Sequence, residues 1–258
     1  MAGGQHEAND RLWERAELVT EYERTDLRAP EAMILINHRD ALAGEVLEIG
    51  CGAGRLTLYL AETAARVRAI DVSESMLAAA RRLVPSASFE RRDLRELAVL
   101  PAGAFTAVVA GFNVLDVLGP DERILALASF HRLLAPGGTL VFSSHNLAAA
   151  DDIEEPLRVR GRGLMRGARA LVRSFRWRRN RRALLPLEEH GDGYAVLNDL
   201  GHDFQALHYY VRRDDQETQL RGAGFELVEC LRMPDGAQVP AGSDAPESSE
   251  LHYVARRA

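Results

Sequence analysis

Three glycines at alternate positions follow a short apolar run, and this spacing could place a ligand directly against the main chain. The run at 45–49 leads into Gly50, Gly52 and Gly54, and residues 55–65 then carry leucines at helical spacing. Glycine takes positive φ angles without strain and leaves no Cβ between a ligand and the backbone amides. The pattern therefore predicts a buried strand, a ligand-binding glycine loop and a helix, in that order.

Two other interpretations of the loop stay open on these residues alone. A dinucleotide-binding loop would need a third glycine where the helix begins, and that position is Arg55. A glycine turn that binds nothing is the plainer alternative. Asp71 favours a ligand, because it ends the next apolar run about 17 residues beyond Gly54, near the spacing of roughly 20 at which an acid binds ribose hydroxyls.

Further apolar runs also end at residues that could bind such a ligand. The run at 88–91 is followed by Asp93, and the run at 105–110 is followed by Gly111 and Asn113. Parallel strands would bring these ends to one edge of a sheet, which is where open α/β sheets bind ligands. A carboxylate there accepts two hydrogen bonds from a vicinal diol, although Asp93 also suits a helix cap or a solvated turn.

These segments resemble the motifs of the class I S-adenosylmethionine-dependent methyltransferases over roughly the first 145 residues. E-I-G-C-G-A-G is similar to the first motif of that family, A-I-D-V-S-E-S-M-L to the second and F-E-R-R-D-L to the third. L-L-A-P-G-G-T-L-V-F, from Leu133 to Phe142, resembles the turn and strand after the fourth. The resemblance implies an α/β fold with a Rossmann-like, doubly wound sheet of seven mostly parallel strands, the last one antiparallel. It also implies S-adenosyl-L-methionine as the cofactor and S-adenosyl-L-homocysteine as its product.

The resemblance assigns a role to individual residues of these motifs. The glycine loop would pass under the methionine part of the cofactor, with Glu48 orienting the loop, and Asp71 would hold the ribose. Side chains at 72 and 76 would flank the adenine, while Asp93 would reach its amino group and the Leu94 amide its ring. Residues 113–116 would form the floor beneath the sulfonium. The complete implied set of cofactor-binding residues is Tyr22, Glu48, Gly50, Cys51, Gly52, Gly54, Asp71, Val72, Met76, Asp93, Leu94, Gly111, Asn113 and Asp116.

Composition indicates one soluble enzyme domain with no bound metal. A length of 258 residues and a hydrophobic fraction of 47% are ordinary for a single α/β domain. The sequence shows neither a signal peptide nor an apolar run long enough to span a membrane, so we expect a cytoplasmic location. Cys51 and Cys230 are the two cysteines, and no histidine stands at ligand spacing, which predicts neither a disulfide framework nor a zinc site. All 32 basic residues are arginines, which excludes pyridoxal enzymes and P-loop NTPases that need a lysine.

The strand and helix pattern predicts four regions along the chain. Residues 1–40 would form an N-terminal helical cap, 41–145 the core that binds S-adenosylmethionine, 146–213 an insertion or lid with the arginine-rich helix and short strands, and 214–258 the C-terminal helix and closing strands. The insertion is inferred from the roughly 65 residues that separate the fifth strand from the next helix, because so long an unstructured connection is rare within a domain. By the family resemblance, such an insertion covers the acceptor site and selects the substrate.

An arginine-rich run in the insertion has several interpretations. With Phe175 and Trp177 interleaved, it could hold phosphates and stack a base. Apolar residues at loosely helical spacing instead predict an amphipathic helix with a solvated or partner-binding basic face, and an anionic membrane surface is a further alternative. Because the net charge is −6, we favour a small-molecule acceptor, an anionic metabolite included, over nucleic acid. The oligomeric state stays open, a dimer included. The arginines of the run are at 158, 160, 162, 166, 169, 173, 176, 178, 179, 181 and 182.

Polar and aromatic residues at the end of the fifth strand and in the insertion could activate and bind an acceptor. His145 and Asn146 leave that strand at the ligand-binding edge of the predicted sheet, which makes them the favoured pair. Alternation of side chains along residues 207–212 would place Tyr209 on the face opposite His208 and Tyr210. We predict catalytic roles for the histidines, which take up protons near neutral pH, although a single histidine is more often structural. The predicted catalytic residues are His145, His202 and His208, and the predicted substrate-binding residues are Asn146, Tyr194, Asn198, Tyr209 and Tyr210.

Three main hypotheses for function follow, each from a different class. The first is a methyltransferase that acts on the nitrogen or oxygen of a small-molecule acceptor by in-line methyl transfer, to which positioning can contribute about 7–11 kcal/mol. The second is a nucleic-acid methyltransferase that uses the arginine run, although residues 111–114 lack the N-P-P-Y-type sequence of exocyclic amine methylation. The third is a non-catalytic scaffold that binds the cofactor and a partner. A nicotinamide oxidoreductase is the fourth.

Overall fold

Short apolar segments form the strands of one mixed sheet in the computed structural model, which describes residues 9, 23, 25–154 and 175–258. The strands predicted at 45–49, 88–91 and 105–110 are confirmed with the same bounds. The strands are β1 (Glu45–Ile49), β2 (Arg66–Asp71), β3 (Ser88–Arg91), β4 (Phe105–Ala110), β5 (Leu134–Asn146), β6 (Glu189–His190), β7 (Tyr194–Leu197), β8 (His208–Val211), β9 (Phe225–Arg232) and β10 (Glu250–Arg257).

Helices connect most of the strands of the core. The described helices are α1 (Ala29–Asn37), α2 (Arg55–Leu60), α3 (Glu74–Leu83), α4 (Pro120–Leu133), α5 (residues 175–184) and α6 (Arg213–Gly222). The helix predicted at 55–65 is shorter than expected. It ends at Leu60 because the amides of Glu62 and Thr63 bond carbonyls three residues before them, which tightens the chain into a turn.

The predicted doubly wound topology is confirmed. Seven strands run in the order β3-β2-β1-β4-β5-β10-β9, and β1 to β5 are parallel to one another. The last strand, β10, is antiparallel to both of its neighbours, β5 and β9. Alternate residues of β1 pack into two apolar clusters on opposite faces of the sheet, with Leu47 beside α4 residues and Val46 beside α2 residues. The carboxyl ends of β1 to β5 therefore share one edge, where this fold class binds ligands.

Strands β6, β7 and β8 come from the predicted insertion and extend the sheet to ten strands. β8 runs parallel to the far end of β5 and pairs His145 with Tyr210 and Asn146 with Val211. The described strands of the insertion thereby lie beside the carboxyl end of β5. Among the residues that the structure describes, no helix is both long and apolar enough to cross a membrane.

Some predictions concern residues outside the described part of the chain. Tyr22, the predicted cofactor contact near the N-terminus, is among them. So are the arginines at 158–173 and most of the predicted amphipathic helix that contains them. The described end of that arginine-rich run belongs to α5.

Candidate functional site

A cavity of about 550 Å³ lies at the carboxyl edge of the sheet. One end, called here the glycine-loop end, is lined by residues that follow β1, β2 and β3. The other end, the histidine end, is lined by His145 near the end of β5 and by Asp199, His202 and His208 of the insertion. The cavity thus joins the part of the chain that carries the motifs to the part that they do not cover.

The three glycines of the loop have different structural roles. All three have positive φ angles, 65° at Gly50, 53° at Gly52 and 89° at Gly54. A Cβ at Gly50 would lie 2.5 Å from the Val114 side chain, and one at Gly54 would lie 3.1 Å from the Ala80 backbone, so these two glycines allow close packing. A Cβ at Gly52 would meet no atom within 4 Å. Gly50 and Gly52 line the cavity whereas Gly54 does not, because it starts α2 against α3.

Asp71 fixes the glycine loop and still faces the cavity. Its Oδ2 accepts a hydrogen bond of 2.8 Å from the Gly52 amide, and its Oδ1 accepts one of 2.9 Å from the Ser73 amide. Burial raises the pKa of Asp71, and the two amides only partly oppose this effect. Each carboxylate oxygen accepts more than one hydrogen bond, so the side chain can hold the loop and accept bonds from a ligand diol at the same time.

The predicted adenine-binding residues meet at one side of the glycine-loop end. Val72, Met76, Asp93 and Leu94 all line the cavity. Asp93 also caps a helical turn, as the alternative interpretation of the sequence proposed. Its Oδ1 accepts a 2.8 Å hydrogen bond from the backbone amide of Arg95, and its carboxylate forms an ion pair with the Arg95 guanidinium. A cap and a cavity-lining position are therefore combined in one residue.

Glu48 and Cys51 are buried beneath the loop. Burial raises the pKa of Glu48 to about 8, although a 2.5 Å hydrogen bond from Thr57 Oγ1 opposes the shift. Burial also raises the pKa of the Cys51 thiol far above its usual range. Cys51 is therefore a protonated wall residue and not a nucleophile.

The turn after β4 connects the two ends of the cavity. Phe112 and Asn113 both take left-handed backbone angles, with φ of 57° and 59°. The backbone amide of Asn113 donates a 2.8 Å hydrogen bond to Ser143 Oγ. The side-chain Nδ2 of Asn113 donates a 2.9 Å hydrogen bond to Glu250 Oε2. Strained turns of this kind are concentrated at functional sites.

Two buried polar atoms in the cavity lining make no hydrogen bond within the described residues. They are Oδ1 of Asn113 and Nε of Arg92. Buried polar atoms are nearly always paired in native proteins, so these atoms fit contacts to a polar ligand. With the Asp71 carboxylate and the open backbone at Gly52, they match the polar groups of a nucleoside joined to an amino acid.

At the histidine end, a buried ion pair supports His145. Nδ1 of His145 lies 2.7 Å from Asp116 Oδ2, and Asp116 Oδ1 accepts a 2.7 Å hydrogen bond from Arg123. Asp116 and Arg123 are both fully buried. The predicted position of Asp116 in the cofactor floor is therefore corrected, because Asp116 does not line the cavity. It lies behind His145 and holds that ring, since its Oδ2 also accepts a hydrogen bond from the His145 backbone amide.

A second carboxylate supports His208. Nδ1 of His208 lies 2.8 Å from Asp199 Oδ2, which also accepts a 2.6 Å hydrogen bond from the Tyr210 hydroxyl. The other oxygen, Oδ1, accepts a 2.7 Å bond from the Gly201 amide. The ring centroids of His145 and His208 are 5.1 Å apart, so two imidazoles that each contact a carboxylate face one cavity.

His202 stands on a left-handed turn that α5 holds in place. Residues His202, Asp203 and Phe204 have φ angles of 50°, 60° and 59°, which are unfavourable for residues with a Cβ. The Asp203 carboxylate accepts hydrogen bonds from Arg176 and, at 2.6 Å, from Trp177 Nε1, and both donors belong to α5. The described end of the arginine-rich run therefore supports the wall that carries His202.

The charges of the histidine end follow from burial and from these pairs. Burial lowers the pKa of His202 to about 4, with a further contribution from His208, so His202 is neutral at neutral pH. Burial acts in the same direction at His145, but the Asp116 carboxylate outweighs it and raises the pKa of that ring. The imidazoles and the Tyr210 hydroxyl keep the pKa of Asp199 well below its usual range despite burial. Asp199 is therefore ionised.

His145, Asp199 and His208 also offer ligand atoms within 4.8 Å of one another, a spacing that a metal ion could use. Sequence spacing did not reveal this group because His145 is far along the chain from Asp199 and His208. Nδ1 of each histidine and both oxygens of Asp199 are already engaged in hydrogen bonds. The arrangement is therefore that of two carboxylate–imidazole pairs.

Five predicted substrate-binding residues lie outside the cavity lining. Their side chains have partners elsewhere: Nδ2 of Asn146 donates to carbonyls of the loop at 244–248, and Nδ2 of Asn198 donates to carbonyls at 204 and 206. The rings of Tyr194 and Tyr209 stack on each other with centroids 5.1 Å apart on the far face of β7 and β8. The predicted alternation is confirmed, because the Tyr210 ring contacts His145 while the Tyr209 ring packs on Arg123. The five residues are Asn146, Tyr194, Asn198, Tyr209 and Tyr210.

Several lining residues were not predicted from the sequence. Arg28 forms an ion pair with Glu250 and lies 4.1 Å from the Phe112 ring centroid, and all three residues border the cavity. Asn9 donates to carbonyls at 117 and 207 and so joins the N-terminal segment to the insertion. These residues carry no motif, since their positions depend on contacts across most of the chain.

Comparison with known proteins agrees with the geometry. Residues 46–138 match the family described as "Methyltransferase domain". The putative methyltransferase YqeM of Bacillus subtilis is 35% identical over 107 residues, which are 40% of this chain and 43% of that protein. The dTDP-3-amino-3,4,6-trideoxy-alpha-D-glucopyranose N,N-dimethyltransferase of Streptomyces venezuelae is 31% identical over 108 residues, 42% of this chain and 45% of that protein. The chain therefore spans less than half the length of these two curated relatives.

A solved structure extends the likeness to nearly the whole chain. The 1,6-didemethyltoxoflavin-N1-methyltransferase of Burkholderia thailandensis, with bound 1,6-didemethyltoxoflavin and S-adenosylhomocysteine, has a TM-score of 0.61 and 19% identity, covering 98% of this chain and 88% of its own. At that identity the likeness concerns the fold. The motifs and the family match concern the same core that carries the glycine loop. Residues 46–138 therefore match a methyltransferase domain, and the fold of the chain is that of a solved S-adenosylmethionine-dependent methyltransferase.

Proposed function

We propose that this protein transfers a methyl group from S-adenosylmethionine to a nitrogen or oxygen of a small-molecule acceptor. The observation that carries the proposal is the single cavity that joins the glycine-loop end to the histidine end. A methyl donor and an acceptor must meet in line, and one continuous cavity provides for that alignment.

The residues of the glycine-loop end would hold the cofactor in the roles that the motifs imply. Asp71 would accept the ribose hydroxyls, and the backbone at Gly52 would lie against the methionine part because no side chain intervenes there. Val72 and Met76 would enclose the adenine, with Asp93 and Leu94 at its polar edge. These assignments rest on cavity-lining positions together with the motif resemblance.

The bound cofactor supplies a sulfonium methyl group that a nucleophile can take by in-line displacement. This chain's residues have to orient the two reactants and exclude water, because positive charge disperses from sulfur during the transfer. Buried apolar and neutral groups such as Cys51 and Met76 line the donor side of the cavity. Orientation on the acceptor side falls to the insertion, which supplies Asp199, His202 and His208.

A small acceptor fits the insertion better than a nucleic acid does. Of the described arginines of the run on α5, Arg178, Arg179 and Arg182 are exposed, whereas Arg176 and Arg181 are engaged with Asp203 and with the Asn198 carbonyl. Their guanidinium groups therefore support the cavity wall, and phosphates would have to compete with these internal partners. The cavity volume of about 550 Å³ is within the range of small-molecule sites.

Calorimetry and thermal shift test the proposal. We expect S-adenosylhomocysteine to bind and to raise the melting temperature, NADH to have no effect, and Asp71→Ala to abolish the shift. The matched control is Asp40→Ala, an exposed carboxylate in a turn outside the cavity. Stabilisation by NADH equal to that by S-adenosylhomocysteine would overturn the cofactor assignment. Binding of S-adenosylhomocysteine, together with no methyl transfer to any small molecule that is tested, would instead favour a scaffold.

A further inference from the structure

The histidine end contains more proton-accepting groups than a methyl acceptor that is already ionised would need. Two imidazoles, His145 and His208, each have a carboxylate at Nδ1, at 2.7 and 2.8 Å. A carboxylate at Nδ1 fixes the tautomer and leaves Nε2 as the proton acceptor. The two Nε2 atoms are therefore the groups through which this end can interact with an acceptor proton.

The contacts of the two Nε2 atoms distinguish the rings. Nε2 of His145 lies 3.3 Å from Nδ2 of Asn113, whose other contact, the carboxylate of Glu250, identifies that nitrogen as a donor. His145 Nε2 is thus already accepting a hydrogen bond. Nε2 of His208 has no hydrogen-bond partner within the described residues, and the ring lines the cavity. Of the two rings, His208 is the one placed to receive a proton from a bound molecule.

The groups around His208 are arranged about the Asp199 carboxylate. Among the described residues, Asp199 contacts the His208 ring, the Tyr210 hydroxyl and the Gly201 amide, and no arginine. His202, the other imidazole beside His208 at a centroid distance of 6.1 Å, is on the strained turn. The remaining charges nearby are paired: Arg123 contacts Asp116 behind His145, while Arg28 and His252 contact Glu250. An Asp199–His208 pair in these surroundings can take up one proton with its charge compensated.

We propose that His208 is the base of the reaction, positioned by Asp199, and that the acceptor presents a weakly acidic, uncharged O–H or N–H group such as a phenol, an enol or a ring N–H. This inference rests on the proposed methyltransferase function. A carboxylate or thiolate acceptor arrives without the proton and would use no base. An ionised acceptor atom would also lie beside the Asp199 carboxylate, which disfavours it electrostatically.

In the proposed methyl transfer, every bond that forms is matched by one that breaks, and charge is conserved. The acceptor O–H or N–H bond breaks, and its proton goes to Nε2 of His208. The oxygen or nitrogen lone pair forms the bond to the methyl carbon, and the electron pair of the carbon–sulfur bond goes to sulfur, which leaves as neutral S-adenosylhomocysteine. The imidazolium then returns its proton to water when the product departs.

Two arms test this proposal in the full-length chain. The first measures S-adenosylhomocysteine release at pH 7 from a panel of phenols, N–H heterocycles, alkylamines and carboxylates. We expect turnover of a phenol or N–H heterocycle, and a loss of 100-fold or more in kcat for His208→Gln. Binding of S-adenosylhomocysteine to this variant should stay within twofold of wild type. The control is His131→Gln on α4, whose ring packs against Phe225 and does not line the cavity.

The second arm needs no turnover. Nitrogen-15 NMR of the imidazoles should show His208 at pH 8 as the neutral tautomer with its proton on Nδ1, and Asp199→Asn should abolish that preference while S-adenosylhomocysteine still binds. With an active acceptor, Asp199→Asn should also move the acidic limb of the pH profile, which a purely structural role would not do.

Defined results would overturn the assignment of His208. They are a proton on Nε2 at pH 8, turnover of a carboxylate in preference to the phenols and N–H heterocycles, or a His208→Gln variant within threefold of wild type. Activity that EDTA removes and Mg²⁺ or Zn²⁺ restores would replace the base by a metal site. Failure of S-adenosylhomocysteine to bind the wild-type protein would instead overturn the methyltransferase proposal itself.

Discussion

The two ends of the cavity are built by different means. At the glycine-loop end the supporting hydrogen bonds are short-range, since Glu48 and Thr57 are 9 residues apart and Gly52 and Asp71 are 19 apart. At the histidine end, short-range pairs such as His208 with Asp199, 9 residues apart, are combined with contacts between residues 93 apart, Arg123 and Gln216, and 137 apart, Asn113 and Glu250. Backbone conformation therefore shapes the glycine-loop end, whereas the histidine end also depends on buried side-chain contacts between distant segments. This difference gives the two ends different sensitivities to mutation.

The largest expected effect is at the buried ion pair of the histidine end. Arg123→Ala would leave Asp116 as a fully buried carboxylate without its cation, which costs about 3–5 kcal/mol in the free energy of unfolding. Urea denaturation would measure the loss. Arg221→Ala, which removes an exposed guanidinium from an ion pair on α6, is the control and should change stability by about 0.5 kcal/mol or less. A loss below about 1 kcal/mol for Arg123→Ala would mean that the pair does not hold this end together.

The same difference explains what could be predicted from the sequence. The glycine loop, Asp71 and Asp93 are each a few residues from the end of a short strand, so hydrophobic pattern and motif together located them. His145 was placed correctly at the end of β5 for the same reason. Local pattern could not place Asp116 behind His145, since that position depends on a contact between two residues 29 apart along the chain.

The insertion was harder to predict because its motif-free residues act through tertiary contacts. The strand β8 was detectable by alternation, which correctly separated Tyr209 from His208. The pairing of β8 with β5, which brings His208 to within 5.1 Å of His145 between ring centroids, has no signature in either segment. For the same reason, local pattern could not show that the Tyr194 ring stacks on Tyr209 and lies outside the cavity lining.

The next effect concerns pH and the glycine-loop end. Burial raises the pKa of Glu48 from 4.5 to about 8, so between these values the folded state keeps a proton that the unfolded state has released. The free energy of unfolding should therefore fall as pH rises through this window, by up to about 1.4 kcal/mol per pH unit from this group. Glu48→Gln keeps an acceptor for Thr57 and does not titrate. We expect the variant to match wild type near pH 5 and to exceed it at pH 7.5 by roughly 3 kcal/mol.

Urea titrations at the two pH values test this expectation. Glu74→Gln, an exposed acid at the start of α3, is the matched control and should leave the difference between the two pH values unchanged. An equal pH dependence in wild type and Glu48→Gln would show that Glu48 is ionised at neutral pH in the folded protein. Because no long-range contact is involved, the effect should appear without any change at the histidine end.

The smallest effect lies where α5 supports the left-handed turn at His202. Trp177→Phe keeps the edge contact with Phe204 and removes the 2.6 Å hydrogen bond to Asp203, which should cost about 1 kcal/mol in unfolding free energy. Because His202 lines the acceptor side, kcat should fall several-fold while the affinity for S-adenosylhomocysteine stays unchanged. Phe175→Leu, on an exposed side chain of the same helix, is the control. A parallel loss of cofactor affinity would mean that the two ends of the cavity are mechanically coupled, contrary to their separate construction.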